Sequence, residues 1–363
     1  MVHCKPLYTP TELRSLYPLL NQQKAFIGNK RAEICQILSG KDSRHLLIVG
    51  PCSIHDVVSA KEYALRLSQL SREVSDHFLL VMRAYYEKPR TKLGWKGFLY
   101  DPDLNGSNDI QKGLSLTRQL LIDLTQLEIP LAAEFLEPAS SVYFDDLISW
   151  GCIGARTVTS QTHRQMASGL PMPMAFKNTT EGDIEGAVHG MISCAHAHTH
   201  VGINPEGQVS IMRSSGNDQG HLVLRGSDTK TNYDPESISD ALMILKRFNL
   251  PLRLLIDCSH GNSKRAHEQQ CQVFQSVISQ IIEGNQAIKG ILLESHLHGG
   301  NQLMMENMAL LKYGVSVTDS CLDWETTEGI IRWAYHKIKN EAVLKTSRQQ
   351  ALHLDDFAFQ KTC

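Results

Sequence analysis

The sequence predicts an α/β protein: a (β/α)8 TIM barrel with an N-terminal arm and a β-hairpin inserted between barrel strands 5 and 6. Three observations predict it. Eight short apolar runs recur along the 363 residues, helical stretches separate most of them, and each run ends in a charged residue or a metal-ligand type. Strands buried on both faces read as continuous apolar runs. Alternation with helices at short connections argues for a parallel sheet with right-handed crossovers. In such a barrel the C-terminal strand ends carry the chemistry, so one pattern proposes both fold and site.

Residues 1–43 read as the arm. Thr9-Pro10-Thr11-Glu12 carries a cap residue, a Pro at the first helical position and an acidic first turn, and a second helix fits Asn29 to Leu38. Such an arm packs on another subunit or caps the barrel floor. The barrel occupies residues 44–340. Its runs are LLIVG before Cys52, LLVM before Arg83, LAA before Glu134 and CIGA before Arg156. PMAF before Lys177, LVL before Arg225, LLIDCS before His260 and ILL before Glu294 complete the set. Helical patterns fall at Ser59 to Val74, Gly113 to Leu127, Ser140 to Ile148, Ile238 to Arg247, Gln269 to Ile282 and Trp324 to Lys339. Alternation on both sides of Asn204-Pro205-Glu206-Gly207 predicts the hairpin, at about 200–212. Residues 341–363 are polar and weakly patterned, and read as a loose tail.

Composition narrows the partners. With a net charge of -2, 42% hydrophobic and 20% charged residues, nothing points to a nucleic-acid or membrane partner. Nine scattered cysteines do not make a secreted disulfide framework, and the first residues lack a signal-peptide stretch. The expected compartment is the cytoplasm.

Arg83, Lys88, Arg156, Lys177 and Arg225 sit at or just past strand ends, so a barrel brings them to one mouth. Five converging cations repel one another unless an anion neutralises them, and Arg forks match phosphate and carboxylate. The implied ligand is a small polyanion; the alternative is a set of solvated strand termini. Cys52, His260, Glu294 and Asp319 offer S, N and O donors. That set suits one divalent ion such as Mn2+, Fe2+, Co2+ or Zn2+, although Cys52 after Gly-Pro also reads as a buried turn thiol. His196, His198 and His200 would share one face of a strand, as zinc ligands or as ordinary hydrogen-bonded histidines. Glu134 could position water or a proton, or pair with Lys88 or Arg156. The basic loop with Lys88, Pro89, Arg90 and Thr91 could hold a second phosphate or stand solvated.

Taken together, several motifs resemble a known family. They are Gly50-Pro51-Cys52-Ser53-Ile54-His55-Asp56, Arg83 with Glu87-Lys88-Pro89-Arg90-Thr91, Gly94-Trp95-Lys96-Gly97, and Ile153-Gly154-Ala155-Arg156-Thr157. Phe176-Lys177-Asn178, Leu224-Arg225-Gly226, Asp257 with Ser259-His260 and Asn262-Ser263, and Glu294-Ser295-His296 follow in order. From about Arg44 to Trp324 the chain resembles class I 3-deoxy-D-arabino-heptulosonate-7-phosphate (DAHP) synthase of the bacterial and fungal type.

The resemblance implies condensation of phosphoenolpyruvate with erythrose 4-phosphate, the first step of the shikimate pathway, in a homodimer or homotetramer. It implies Cys52, His260, Glu294 and Asp319 as metal ligands, and Arg83, Lys88, Arg156, Lys177 and Arg225 as phosphoenolpyruvate contacts. Lys88, Pro89, Arg90, Thr91 and Asp319 would meet erythrose 4-phosphate, and Lys88, Glu134 and His260 would act in catalysis. It further implies an aromatic amino-acid effector. Two positions depart from the family pattern there: Pro171 stands where relatives commonly carry Ser, and His200 where many carry an aromatic residue. Ala175-Phe176-Lys177-Asn178-Thr179-Thr180 departs from the usual Gly-Phe-Lys-Asn-Gly-Thr but keeps the Lys. Cys321, two residues past Asp319, would sit near Cys52 as a candidate for an oxidative disulfide. A barrel synthase for a different phosphosugar, such as arabinose 5-phosphate, is the nearest alternative.

Overall fold

A computed structural model describes residues 4–90, 93–304 and 310–359, without the side chains of 342–359. All eight apolar runs are strands of one closed parallel barrel. They are β1 (His45–Gly50), β2 (Phe78–Arg83), β3 (Leu131–Glu134), β4 (Trp150–Ile153), β5 (Met174–Lys177), β8 (His221–Leu224), β9 (Leu254–Asp257) and β10 (Ile288–Glu294). β6 (His198–Ile203) and β7 (Val209–Ser214) form the separate antiparallel hairpin between β5 and β8. Helices α3 (Val57–Glu73), α4 (Ile110–Gln126), α5 (Pro138–Phe144), α6 (Gln161–Gly169), α7 (Glu185–Ala195), α8 (Pro235–Arg247) and α9 (Gln269–Ile282) surround the barrel. Among the described residues no helix is long and apolar enough to cross a membrane.

The period-two geometry of a strand decides what enters the barrel. Leu46, Ile48, Leu79, Val81, Ala132, Trp150, Cys152, Ala175, Val223, Leu255 and Leu292 form the inner cluster. Their even-spaced successors Arg83, Glu134, Lys177, Asp257 and Glu294 end their strands with the same inward parity. The apolar layer therefore gives way to charge at one level, the C-terminal mouth. The odd-parity residues pack outward on the helices; Leu47, Val49, Leu80 and Met82 belong to that second cluster.

The arm begins with α1 (Pro10–Leu16), closed by a reciprocal capping box between Thr9 and Glu12. α2 (Asn21–Ser39) starts earlier than its periodic core suggests and sends Ile34, Ile37 and Leu38 into the inner cluster. It thus closes the barrel floor. α10 (Trp324–Phe359) runs through the segment expected to be a loose tail. That expectation is corrected: no Gly or Pro interrupts the chain from Ile330 to Phe359, so nothing local stops the helix. Residues 360–363 lie outside the described residues.

One buried contact of the lower barrel sets a pH dependence. Trp150 Nε1 donates to His221 Nε2 at 2.9 Å, and His221 Nδ1 bonds the Gln219 carbonyl at 3.0 Å. Burial holds the imidazole down to about 3. The unfolded chain takes up this proton below about pH 6.5 whereas the folded chain does not. The stability is therefore full above that pH and lost as pH falls towards 3, by about 1.4 kcal/mol per pH unit. Urea unfolding between pH 6.5 and 4 should show a shallower loss for His221→Gln, which keeps both hydrogen bonds, than for the wild type. Equal slopes would refute the assignment.

Candidate active site

The mouth of the barrel holds a cavity of about 320 Å³. Lys88, Arg156, Lys177 and Arg225 line it together with Pro89, Arg90, Glu134, His260, Glu294 and Asp319. Four of the five expected cations therefore face one space. The fifth, Arg83, is placed beneath them and does not appear among the lining residues. It is 1% exposed, donates from Nη2 to Glu294 Oε1 at 3.0 Å, stacks on the Tyr85 ring at 4.0 Å, and keeps Nη1 buried without a partner among the described residues. Thr91 lies outside the described residues.

Cys52, Glu294 and Asp319 present ligand atoms within 4.8 Å of one another. His260 stands beside this group rather than within it, its Nε2 3.7 Å from Glu294 Oε1. Lys88 enters the same space, with Nζ 2.9 Å from Cys52 Sγ and 4.0 Å from Asp319 Oδ2. Burial by itself would lower the Lys88 ammonium, but Cys52, Asp319 and Glu294 outweigh it and raise its pKa. Burial, reinforced by Glu294, pushes the Cys52 thiol well up against the opposing charge of Lys88. A sulfur and two carboxylates are donor chemistry for a borderline divalent ion, and the placement of these three fits one.

Asp257 lies under this layer, fully buried. Burial would raise its carboxyl, yet Lys177 and His260 hold it well below the ordinary range. Lys177 Nζ is 3.0 Å from it. Arg225 is fixed through its backbone, donating to Asn178 Oδ1 at 2.8 Å. Glu134 abuts Gly154 so closely that a Cβ there would fall 2.1 Å from Glu134 Oε1.

The three alternating histidines do not converge. His196 Nδ1 bonds Ile192 O and His198 Nε2 bonds Ser193 O, each at 2.8 Å, whereas His200 faces a different cavity. That cavity, about 510 Å³, lies between α5, α6 and the hairpin, and Val142, Met166, Leu170, Ile203 and Met212 give it an apolar lining beside His200. Pro171 lines a neighbouring hollow with Arg31 and Cys35 instead. Cys52 and Cys321 are both buried and free.

Sequence reasoning missed the roles of several cavity residues: Gln270, Arg265, His267, Asn301, Thr318 and Ser320. All but Gln270, in the first turn of α9, come from loops, where no periodicity marks them. Asp257 had a usable signal, because it shares inward parity with Leu255.

A family model described as "DAHP synthetase I family" matches residues 18–332. The Tyr-sensitive phospho-2-dehydro-3-deoxyheptonate aldolase of Escherichia coli K12 is 45% identical over 341 residues, 94% of this chain and 96% of that protein. The Trp-sensitive one of the same organism is 44% identical over 325 residues, 90% of this chain and 93% of that protein. A solved phospho-2-dehydro-3-deoxyheptonate aldolase from Francisella tularensis is similar, with a TM-score of 0.90 and 41% identity, covering 93% of this chain and 98% of that one.

Proposed function

The chain belongs to the DAHP synthetase I family, and on that premise we propose that it condenses phosphoenolpyruvate with D-erythrose 4-phosphate and water to give DAHP and phosphate. The observation that carries this reading is the convergence of Lys88, Arg156, Lys177 and Arg225 on one cavity beside the Cys52, Glu294 and Asp319 group.

Phosphoenolpyruvate carries a phosphate and a carboxylate, which such a cation set neutralises. Arg83 supports it from below, its charge directed onto Glu294. Pro89, Arg90 and Thr91 receive the second phosphate. Cys52, His260, Glu294 and Asp319 would hold one divalent ion, Mn2+, Fe2+, Co2+ or Zn2+. When bound, that ion supplies Lewis-acid polarisation or activation of water. Lys88, whose Nζ lies 2.9 Å from Cys52 Sγ, donates its proton to the alkoxide that forms as C3 of phosphoenolpyruvate attacks the aldehyde. Glu134 orients the water that adds at C2, and the hemiketal phosphate collapses. The preorganised cations stabilise charge as it develops.

Gly154→Ala tests the Glu134 role without replacing a charged side chain. The added Cβ displaces the carboxylate, so kcat is expected to fall about 100-fold with KM for phosphoenolpyruvate little changed. An unchanged kcat would remove Glu134 from the reaction.

We assign the hairpin cavity to an aromatic amino-acid effector, matching the sensitivity in the names of the relatives. The hairpin's Val201, Val209 and Ile211 are 72–78% exposed on one face, which we assign to a second copy in a homodimer or homotetramer. The eight free cysteines among the described residues fit a reducing cytoplasm.

The deciding experiment is a turnover assay after chelation, with each metal restored in turn, and with erythrose 4-phosphate or arabinose 5-phosphate as the sugar. Phe, Tyr and Trp are then added separately. Metal-dependent turnover of the four-carbon sugar is expected, inhibited by an aromatic amino acid. Turnover of arabinose 5-phosphate alone would overturn the reading.

A further inference from the structure

The Asp257 carboxylate satisfies donors from two parts of the site. Oδ2 accepts from Lys177 Nζ at 3.0 Å and lies 3.1 Å from His260 Nδ1. Oδ1 accepts from the Ser259 backbone N–H at 3.0 Å and from the Ser259 hydroxyl at 2.6 Å. The Asp257 carbonyl accepts from Asn262 Nδ2 at 2.9 Å. No oxygen of this residue is left over for substrate or solvent; its side chain is sealed in the barrel.

Those contacts decide which nitrogen of His260 carries hydrogen. Ser259 Oγ is also 2.7 Å from His260 Nδ1. A hydroxyl has one hydrogen, and the short, charge-assisted bond to Asp257 Oδ1 uses it. Ser259 therefore faces Nδ1 with a lone pair. Both neighbours of Nδ1, the Ser259 oxygen and Asp257 Oδ2, are acceptors, so Nδ1 bears the hydrogen. In the neutral ring Nε2 then carries the free lone pair, and Nε2 is the atom turned toward Glu294 at 3.7 Å. The backbone needs the same support. His260 has φ of +57°, left-handed for a side-chain-bearing residue, and is held there by the Asp257 contacts and by Arg265 N–H donating to its carbonyl at 2.9 Å.

We propose that Asp257 and Ser259 are positioning residues for the reaction: they fix His260 as the Nδ1–H tautomer with Nε2 ready as a metal ligand, while Asp257 also fixes Lys177 in the anion pocket. The inference rests on the metal reading above. One buried carboxylate thereby aligns the metal side and the phosphoenolpyruvate side of the cavity, and Ser259 serves the metal side alone.

That asymmetry gives the test, made on the full chain with Co2+ as the probe. Affinity is read by chelator competition, ligation by the thiolate-to-cobalt absorption, and the anion side by KM for phosphoenolpyruvate. Asp257→Asn is expected to weaken cobalt binding about 10- to 100-fold, to alter the absorption, and to raise KM. Ser259→Ala is expected to weaken cobalt binding about 3- to 10-fold with KM little changed, because the lost hydroxyl meets His260 Nδ1 and Asp257 Oδ1 whereas Lys177 is held by Asp257 Oδ2. Should Asp257→Asn fail to fold, Ser259→Ala carries the test alone. Wild-type cobalt affinity and absorption in the folded variants, with binding lost in His260→Ala, would overturn the positioning role and leave the metal reading standing. A wild-type chain that binds no cobalt, or a His260→Ala chain that binds it normally, would overturn the metal reading and this inference with it.

Discussion

Cys52→Ala is expected to abolish metal-dependent turnover while leaving the barrel folded. Cys52 is fully buried just past the end of β1, beside Glu294 and Asp319, and supplies the set's one sulfur. Without it the ion loses a charged, soft donor, and the loss of a Lewis acid worth several kcal/mol predicts a fall in kcat of about 1,000-fold or more. The fold should survive, because Cys52 contributes a small side chain and its loss releases Lys88 rather than stranding it: Lys88 Nζ also bonds the Cys52 carbonyl, at 3.3 Å, which the substitution keeps. The measurements are turnover with restored metal, bound metal per chain, and the far-ultraviolet circular dichroism. A variant that turns over at the wild-type rate without metal would overturn the metal reading.

The largest effect on stability is expected from Arg83→Met. Arg83 and Glu294 form an ion pair whose side chains are 1% and 3% exposed. Removing the guanidinium leaves Glu294 charged in the barrel interior, a change that costs about 3–5 kcal/mol when a buried pair loses one member. Urea unfolding of the metal-free proteins measures it. Adding Mn2+ should narrow the gap between variant and wild type, because a cation held by Glu294 replaces part of the missing charge. A loss below about 1 kcal/mol, unaffected by metal, would overturn the weight given to this buried ion pair.

Most of the architecture was legible in the chain. Each of the eight apolar runs became a barrel strand, and the Asn-Pro-Glu-Gly turn became the hairpin, because burial on two faces and a tight turn both leave local patterns. The tail was not legible. Polar residues with good helix propensity carry no burial pattern, and α10 continued through them. The candidate site was legible in part for the same reason. Strand-end residues such as Lys177 and Glu294 follow from run and parity, whereas loop residues such as Arg265 and Asn301 enter the cavity by way of turns that no period announces.

The sequence by itself determined the barrel, the level at which charge replaces apolar side chains, and the inventory of cations and metal-type donors, because strand period and burial are local properties of the chain. The tertiary structure alone decided how that inventory is divided. It set Arg83 beneath Glu294 instead of in the cavity, kept the three alternating histidines apart, and gave Asp257 both Lys177 and His260 as partners. The Arg83–Glu294 and Lys177–Asp257 pairings join residues from non-adjacent strands of the closed sheet. Their distances depend on how the closed sheet staggers its strands, and no spacing along the chain encodes that.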